Sequence, residues 1–94
     1  MQWDVKILPA AKRDIKNLPM EQRAIAVEAI TILGRHPRSR QSKKLQGEAA
    51  KHNIYRLRAG DLGIVYQLKN KQLIVLVIAV ADRKNIYQLL KKRL

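Results

Sequence analysis

The sequence predicts an α+β fold: a small antiparallel β-sheet with an N-terminal helix hairpin on one face and a C-terminal helix, in the order β-α-α-β-β-β-α. Three observations predict it. Residues 2–8, QWDVKIL, alternate between apolar and polar. Residues 9–33 switch to helical spacing. From Tyr55 to Ala81 the two-residue period returns, broken only by the turn pairs Gly60-Asp61 and Asn70-Lys71, and a last helical stripe follows.

In the first strand Trp3, Val5 and Ile7 share one face, with Asp4 and Lys6 on the other. Pro9 suits the first turn of a helix, where its missing N–H would have no partner anyway. Ala11, Ile15 and Leu18 recur at helical spacing, with Lys12, Arg13 and Lys16 outside. The Leu18-Pro19 step breaks that helix, and Pro19 opens the next. Its inward stripe is Ile25, Ala29, Ile32 and Leu33, and Glu21 sits in the first turn, where the helix dipole favours an acid. Gly34 and Pro37 end it. Residues 35–53 read as a long basic loop with an apolar anchor, Leu45, and a turn at Gly47. In the next strand Tyr55 and Leu57 point one way and Arg56 and Arg58 the other. Leu62, Ile64, Tyr66 and Leu68 then alternate with Gly63, Val65 and Gln67, which places Tyr55 and Tyr66 in the core. Gln72 to Ala81 is apolar on both faces, as a strand inside a sheet requires. Asp82 is placed to cap a final helix with the stripe Ile86, Leu89, Leu90 and Leu94.

The 94 residues are expected to form one domain, 1–94. The longest apolar run, Leu73 to Ala81, is nine residues, against the roughly 20 of a membrane-spanning helix. The first residues lack the pattern of a secretory signal, so a cytoplasmic protein with no membrane partner is expected. There is no cysteine and there are two histidines, so neither a disulfide framework nor a metal site is expected, and no cofactor is implied. Twenty Lys and Arg against seven Asp and Glu give a net charge of +13. Such an excess repels itself in a small fold and points to a polyanionic partner, nucleic acid first. The charge is uneven: Arg35 to Arg58 holds eight basic residues and one acid, Glu48. Arg56 and Arg58 are therefore the first candidates for a ligand site, since the acids at hand to neutralise them are Glu48 and Asp61 alone.

Three stretches carry a family resemblance: KLQG at Lys44–Gly47, YRLRAGDLGIVYQL at Tyr55–Leu68, and LIVLVIAVADRKNIY at Leu73–Tyr87. In this order, at this length and charge, the chain resembles the RelE/ParE toxins of bacterial toxin–antitoxin systems, and its RelE-like messenger-RNA interferase branch in particular. The resemblance implies an endoribonuclease that cleaves messenger RNA in the ribosomal A site by attack of the RNA 2′-hydroxyl, and so inhibits translation. It implies as partners a proteinaceous RelB-like antitoxin, the ribosome with its RNA, and messenger RNA. Arg56 and Arg58 stand where that branch places basic residues of its active face. Arg83 matches a phosphate-binding and leaving-group arginine, and Tyr87 a tyrosine that orients or stacks on the base. With Lys91, Arg83 and Tyr87 are expected on one face of the last helix, four residues apart. Arg35, Arg38, Arg40, Lys43, Lys44, Lys51, Lys84 and Lys91 form the surface expected to hold RNA or the ribosome, with His52 a candidate base. The chain departs from the ribonuclease branch at Gly63, where an arginine is usual. Two alternatives stay open: a ParE-like inhibitor that binds DNA gyrase without catalysis, and a binding module, for the antitoxin or nucleic acid, that has lost its chemistry.

Overall fold

The computed structural model describes residues 2–93, the side chains of Glu48 and Ala49 excepted. The elements are β1 (Asp4–Ile7), α1 (Pro9–Lys16), α2 (Met20–Leu33), β2 (Ser42–Lys44), a 3₁₀ helix at Gly47–His52, β3 (Ile54–Ala59), β4 (Leu62–Lys69), β5 (Ile74–Asp82) and α3 (Ile86–Arg93). The five strands lie in the order β1-β5-β4-β3-β2. Predicted element order and layering hold, with two corrections. The loop predicted over 35–53 contains a further strand, β2, and the 3₁₀ helix. The sheet is mixed, because β1 pairs parallel with β5 while the other pairs are antiparallel.

The two-residue period of each strand divides its side chains between two cores. Leu57, Leu62, Ile64, Tyr66 and Leu68 face the α1–α2 hairpin, packing with Ala11, Ile15, Ala26, Ile30 and Leu33. Ile54, Val65, Ile78 and Ala79 face the other way, where Ile86 and Leu90 of α3 cover them. Of the predicted α2 stripe, Leu33 is buried and Ala29 packs against the core, but Ile25 and Ile32 give way to their neighbours. Ala26, Ile30 and Leu33 are buried, whereas Ile25 and Ile32 are 43% and 47% exposed. Apolar residues surround α2, so periodicity alone does not choose its inner face. Predicted position Leu94 lies outside the described residues.

The two-residue turn Gly60-Asp61 joins β3 to β4, with Gly60 at φ +59°, a left-handed value that a glycine adopts without steric cost. Between β4 and β5 the pairs Val65–Ala79 and Tyr66–Val77 leave Ile78 as an extra residue, a β-bulge. Asp82 closes β5 and its carboxylate accepts the Asn85 N–H at 2.9 Å. The predicted cap therefore orders the turn before α3, which begins at Ile86.

Candidate nucleic-acid interface

Arg56 and Arg58 lie on the α3 side of the sheet, two residues apart on β3, as their alternation requires. β2 adds a third cation. Lys43 is the register partner of Arg56, so both side chains rise from the same face with Cβ atoms about 5 Å apart. Like charges directly opposite one another destabilise a sheet. No described carboxylate relieves them: Asp61 pairs with neither arginine, and the Glu48 side chain lies outside the described residues. Arg56 is half-buried and its Nε is sealed from solvent without a hydrogen-bond partner. A buried donor left unpaired costs about 1–3 kcal/mol.

α3 crosses this face beside the cations. Arg58 is in register with Gly63, and Gly63 with Ala81. Ile86 sits over Gly63 so closely that an added Cβ would lie 3.1–3.3 Å from three of its side-chain atoms. Tyr87 follows, 45% exposed at the open flank of the helix. The predicted single helical face for Arg83 and Tyr87 is corrected here. Arg83 lies in the turn ahead of α3, where its amide donates to Asp61 O at 2.9 Å, while Tyr87 and Lys91 keep the four-residue spacing on the helix. Arg83 and Lys84 line a shallow hollow of about 460 Å³ with Asp61 and Asp82. The hollow is at the β3–β4 turn end of the sheet, the same end as Arg58.

The other predicted cations scatter. Arg38 is turned to the hairpin side: its Nη2 donates to Asn70 Oδ1 at 2.6 Å and its guanidinium lies 5.8 and 5.9 Å from the ring centres of Trp3 and Tyr55. Lys44 is in register with Tyr55 and shares that face. Arg35 and Arg40 are exposed in the connection from α2 to β2. Lys51 and His52 lie in the 3₁₀ helix before β3, with the His52 carbonyl accepting from Gln67 Nε2. That is the far end of the sheet from Arg83, and the structure does not bring His52 to the Arg58 end. Among the described residues no group of three His, Cys, Asp or Glu side chains could hold a metal ion, and no helix is long and apolar enough to cross a membrane.

The family model described as the ParE toxin of type II toxin–antitoxin systems matches residues 5–87. The chain is a toxin of the RelE/ParE family. Among proteins with curated descriptions, none matches the toxin in sequence. Among solved structures, the RelBE2 toxin–antitoxin complex of Mycobacterium tuberculosis has a chain 27% identical to it, with a TM-score of 0.79, covering 88% of the toxin and 100% of that chain. The RelE–RelB complex of Pyrococcus horikoshii gives 25% identity and a TM-score of 0.74, over 88% of the toxin and 97% of that chain. A free double-arginine mutant of Escherichia coli RelE has the same fold, with a TM-score of 0.76 at 22% identity over 100% of the toxin and 99% of that chain.

Two features of the toxin are not evident from the linear sequence. The opposition of Lys43 and Arg56 depends on a three-residue strand embedded in a basic run with little apolar pattern. Asp14, one acid among Lys12, Arg13 and Lys16, pairs with Arg93, 79 residues away along the chain.

Proposed function

We propose that the toxin is a ribosome-dependent messenger-RNA endoribonuclease that cuts in the A site and so halts translation. The observation that carries the proposal is the cation row Lys43–Arg56–Arg58, which has no carboxylate partner among the described residues and lies on the sheet face that α3 and its Tyr87 cross. A fold bears such repulsion most readily where a phosphate backbone neutralises it. In this reading the Arg56 and Arg58 guanidiniums grip the non-bridging oxygens of the scissile phosphate, and Lys43 holds the adjoining phosphate. The 2′-hydroxyl attacks phosphorus in line, the O2′–P bond forms as the P–O5′ bond breaks, and a cyclic phosphate remains. Charge grows on the phosphoryl oxygens, where fixed bidentate donors stabilise it most. Arg83 neutralises the departing O5′, which takes a proton from water. Tyr87 stacks on a neighbouring base. Arginines do not accept the 2′-hydroxyl proton, so it passes to water, and position and charge supply the acceleration. General acid–base help would add only about 10²–10⁴-fold.

The partner that restrains the toxin is a protein antitoxin of RelB type, as in the crystallised relatives. An acidic or amphipathic segment would meet this +13 surface quickly and in a salt-sensitive way.

Primer extension on a message translated in a reconstituted system tests the function. Cuts at A-site codons are expected, and Arg83→Ala and Tyr87→Ala should each lower cutting by about 10²-fold while antitoxin binding survives. Full cutting by both variants would refute the site. A second reading, non-catalytic inhibition of DNA gyrase, is favoured by one feature: Ile86 fills the space over Gly63, the position at which the resemblance to the ribonuclease branch implies an arginine as usual. Intact message together with gyrase–DNA adducts would establish that reading instead.

A further inference from the structure

β1 ends before β5 does. Their last register pair is Ile7–Val77, and Leu8 N–H closes the ladder on the Val77 carbonyl. Beyond it the outer edge of β5 has no strand neighbour among the described residues, and two side chains take the place of one. Asp14 Oδ2 accepts the Val80 N–H at 3.0 Å, and Arg93 Nη1 donates to the Ile78 carbonyl at 3.0 Å. The two side chains also join each other through a bidentate pair, Nη1 to Oδ2 at 2.5 Å and Nη2 to Oδ1 at 2.8 Å. Asp14 comes from α1 on one sheet face and Arg93 from α3 on the other, so the pair wraps the edge and ties the two helical layers together. Both side chains are largely shielded, at 14% and 20% exposure.

α3 has eight residues, and an isolated helix shorter than about 12 residues is marginal in water. Its orientation therefore depends on tertiary anchors. Ile86 in the notch over Gly63 holds its first turn, and Arg93 holds its last. Arg93 lies past the residues matched by the family model. Its hydrogen bonds to Asp14 raise the guanidinium further above its ordinary range, so loss of the arginine's proton does not uncouple the pair.

We propose that Asp14 is a positioning residue for the cationic face: by clamping Arg93 it fixes the angle at which α3 crosses the sheet, and hence where Tyr87 and Lys91 stand relative to Arg56 and Arg58. The clamp stands on geometry alone; its effect on cutting rests on the ribonuclease reading.

Residue-resolved amide hydrogen exchange tests the clamp. In Asp14→Ala the Val80 amide loses its acceptor and should exchange about tenfold faster or more, and α3 with it, while Ile64 and Tyr66 in mid-β4 keep their protection. Asp14→Asn keeps the shape without the charge; it should show the same pattern more weakly, and it serves if the alanine variant does not fold. Arg93→Ala, which also removes the bond to the Ile78 carbonyl, should loosen α3 at least as much, and the double variant should loosen it no further than Arg93→Ala, since Asp14 reaches α3 only through Arg93. The Tyr87 ring resonances should shift in Asp14→Ala, cutting should fall about tenfold, and Asp14→Glu, which keeps the carboxylate, should recover most of it. Wild-type protection of α3 in Asp14→Ala overturns the clamp. A loosened α3 with unshifted Tyr87 or undiminished cutting overturns the positioning role. If the wild-type toxin itself leaves the message intact, the ribonuclease reading fails, and exchange and the Tyr87 resonances still decide this proposal.

Discussion

Gly63 shows how one missing side chain shapes the face. The absent Cβ leaves the notch that Ile86 fills, and that contact brings α3 down onto β4. Gly63→Ala forces three Ile86 atoms to give way, and overpacking of this kind costs about 1–3 kcal/mol. Urea denaturation should show the loss, and the loss should be smaller in an Ile86→Ala background, where two of the three crowding atoms, Cγ1 and Cγ2, are gone. The alternation of β4 places residue 63 on the face shared with Arg56 and Arg58, and that placement was legible in the sequence. What occupies its space was not, because Ile86 arrives from 23 residues further along the chain and periodicity carries no information about packing partners.

β2 shows where linear reading stops. Three residues, Ser42–Lys44, form a strand because β3 offers an edge and Tyr66 fixes the approach: its hydroxyl donates to the Pro37 carbonyl at 2.6 Å and lies 2.7 Å from Ser42 Oγ. No local pattern signals a strand this short, whereas β3, β4 and β5 are long enough to display their period. Lys43→Glu would turn a like-charge pair into an opposite one. It should raise stability by up to about 1 kcal/mol and weaken binding to RNA; a urea titration and a filter-binding assay check the two effects, which run in opposite directions. Tyr66 governs the approach of the same element in a pH-dependent way. Burial raises its hydroxyl above the ordinary tyrosine range, outweighing the Ser42 hydrogen bond that lowers it. The folded state thus holds a proton that the unfolded chain releases near pH 10. Stability from this group is complete below about pH 10 and declines as pH rises through the folded value. Tyr66→Phe should be less stable than wild type by about 0.5–1.5 kcal/mol at pH 8. The gap should narrow in urea titrations at higher pH.

Across the whole molecule, a net charge of +13 is spread over extents of 35 × 29 × 25 Å. Those extents are roughly three times the Debye length, about 10 Å at 0.1 M salt, so salt in this range screens much of the repulsion across the molecule. Raising NaCl from about 0.05 to about 0.5 M should raise the melting temperature by screening self-repulsion, while affinity for RNA falls with a linear log–log slope. Calorimetry and a salt titration of binding check the pair of effects, and a melting temperature that drops with salt would refute the repulsion argument. The global charge, the element order and the family were all readable in sequence, since each is a sum over many residues. The closure of the sheet edge was not, because it depends on two residues that meet only after folding. That closure has a further consequence. Unsatisfied main-chain groups along a strand invite another chain to zip on and begin aggregation. With Val80 N–H and Ile78 C=O already engaged, this stretch of β5 presents a blunt margin, and a molecule with apolar strands escapes one route to stacking upon copies of itself.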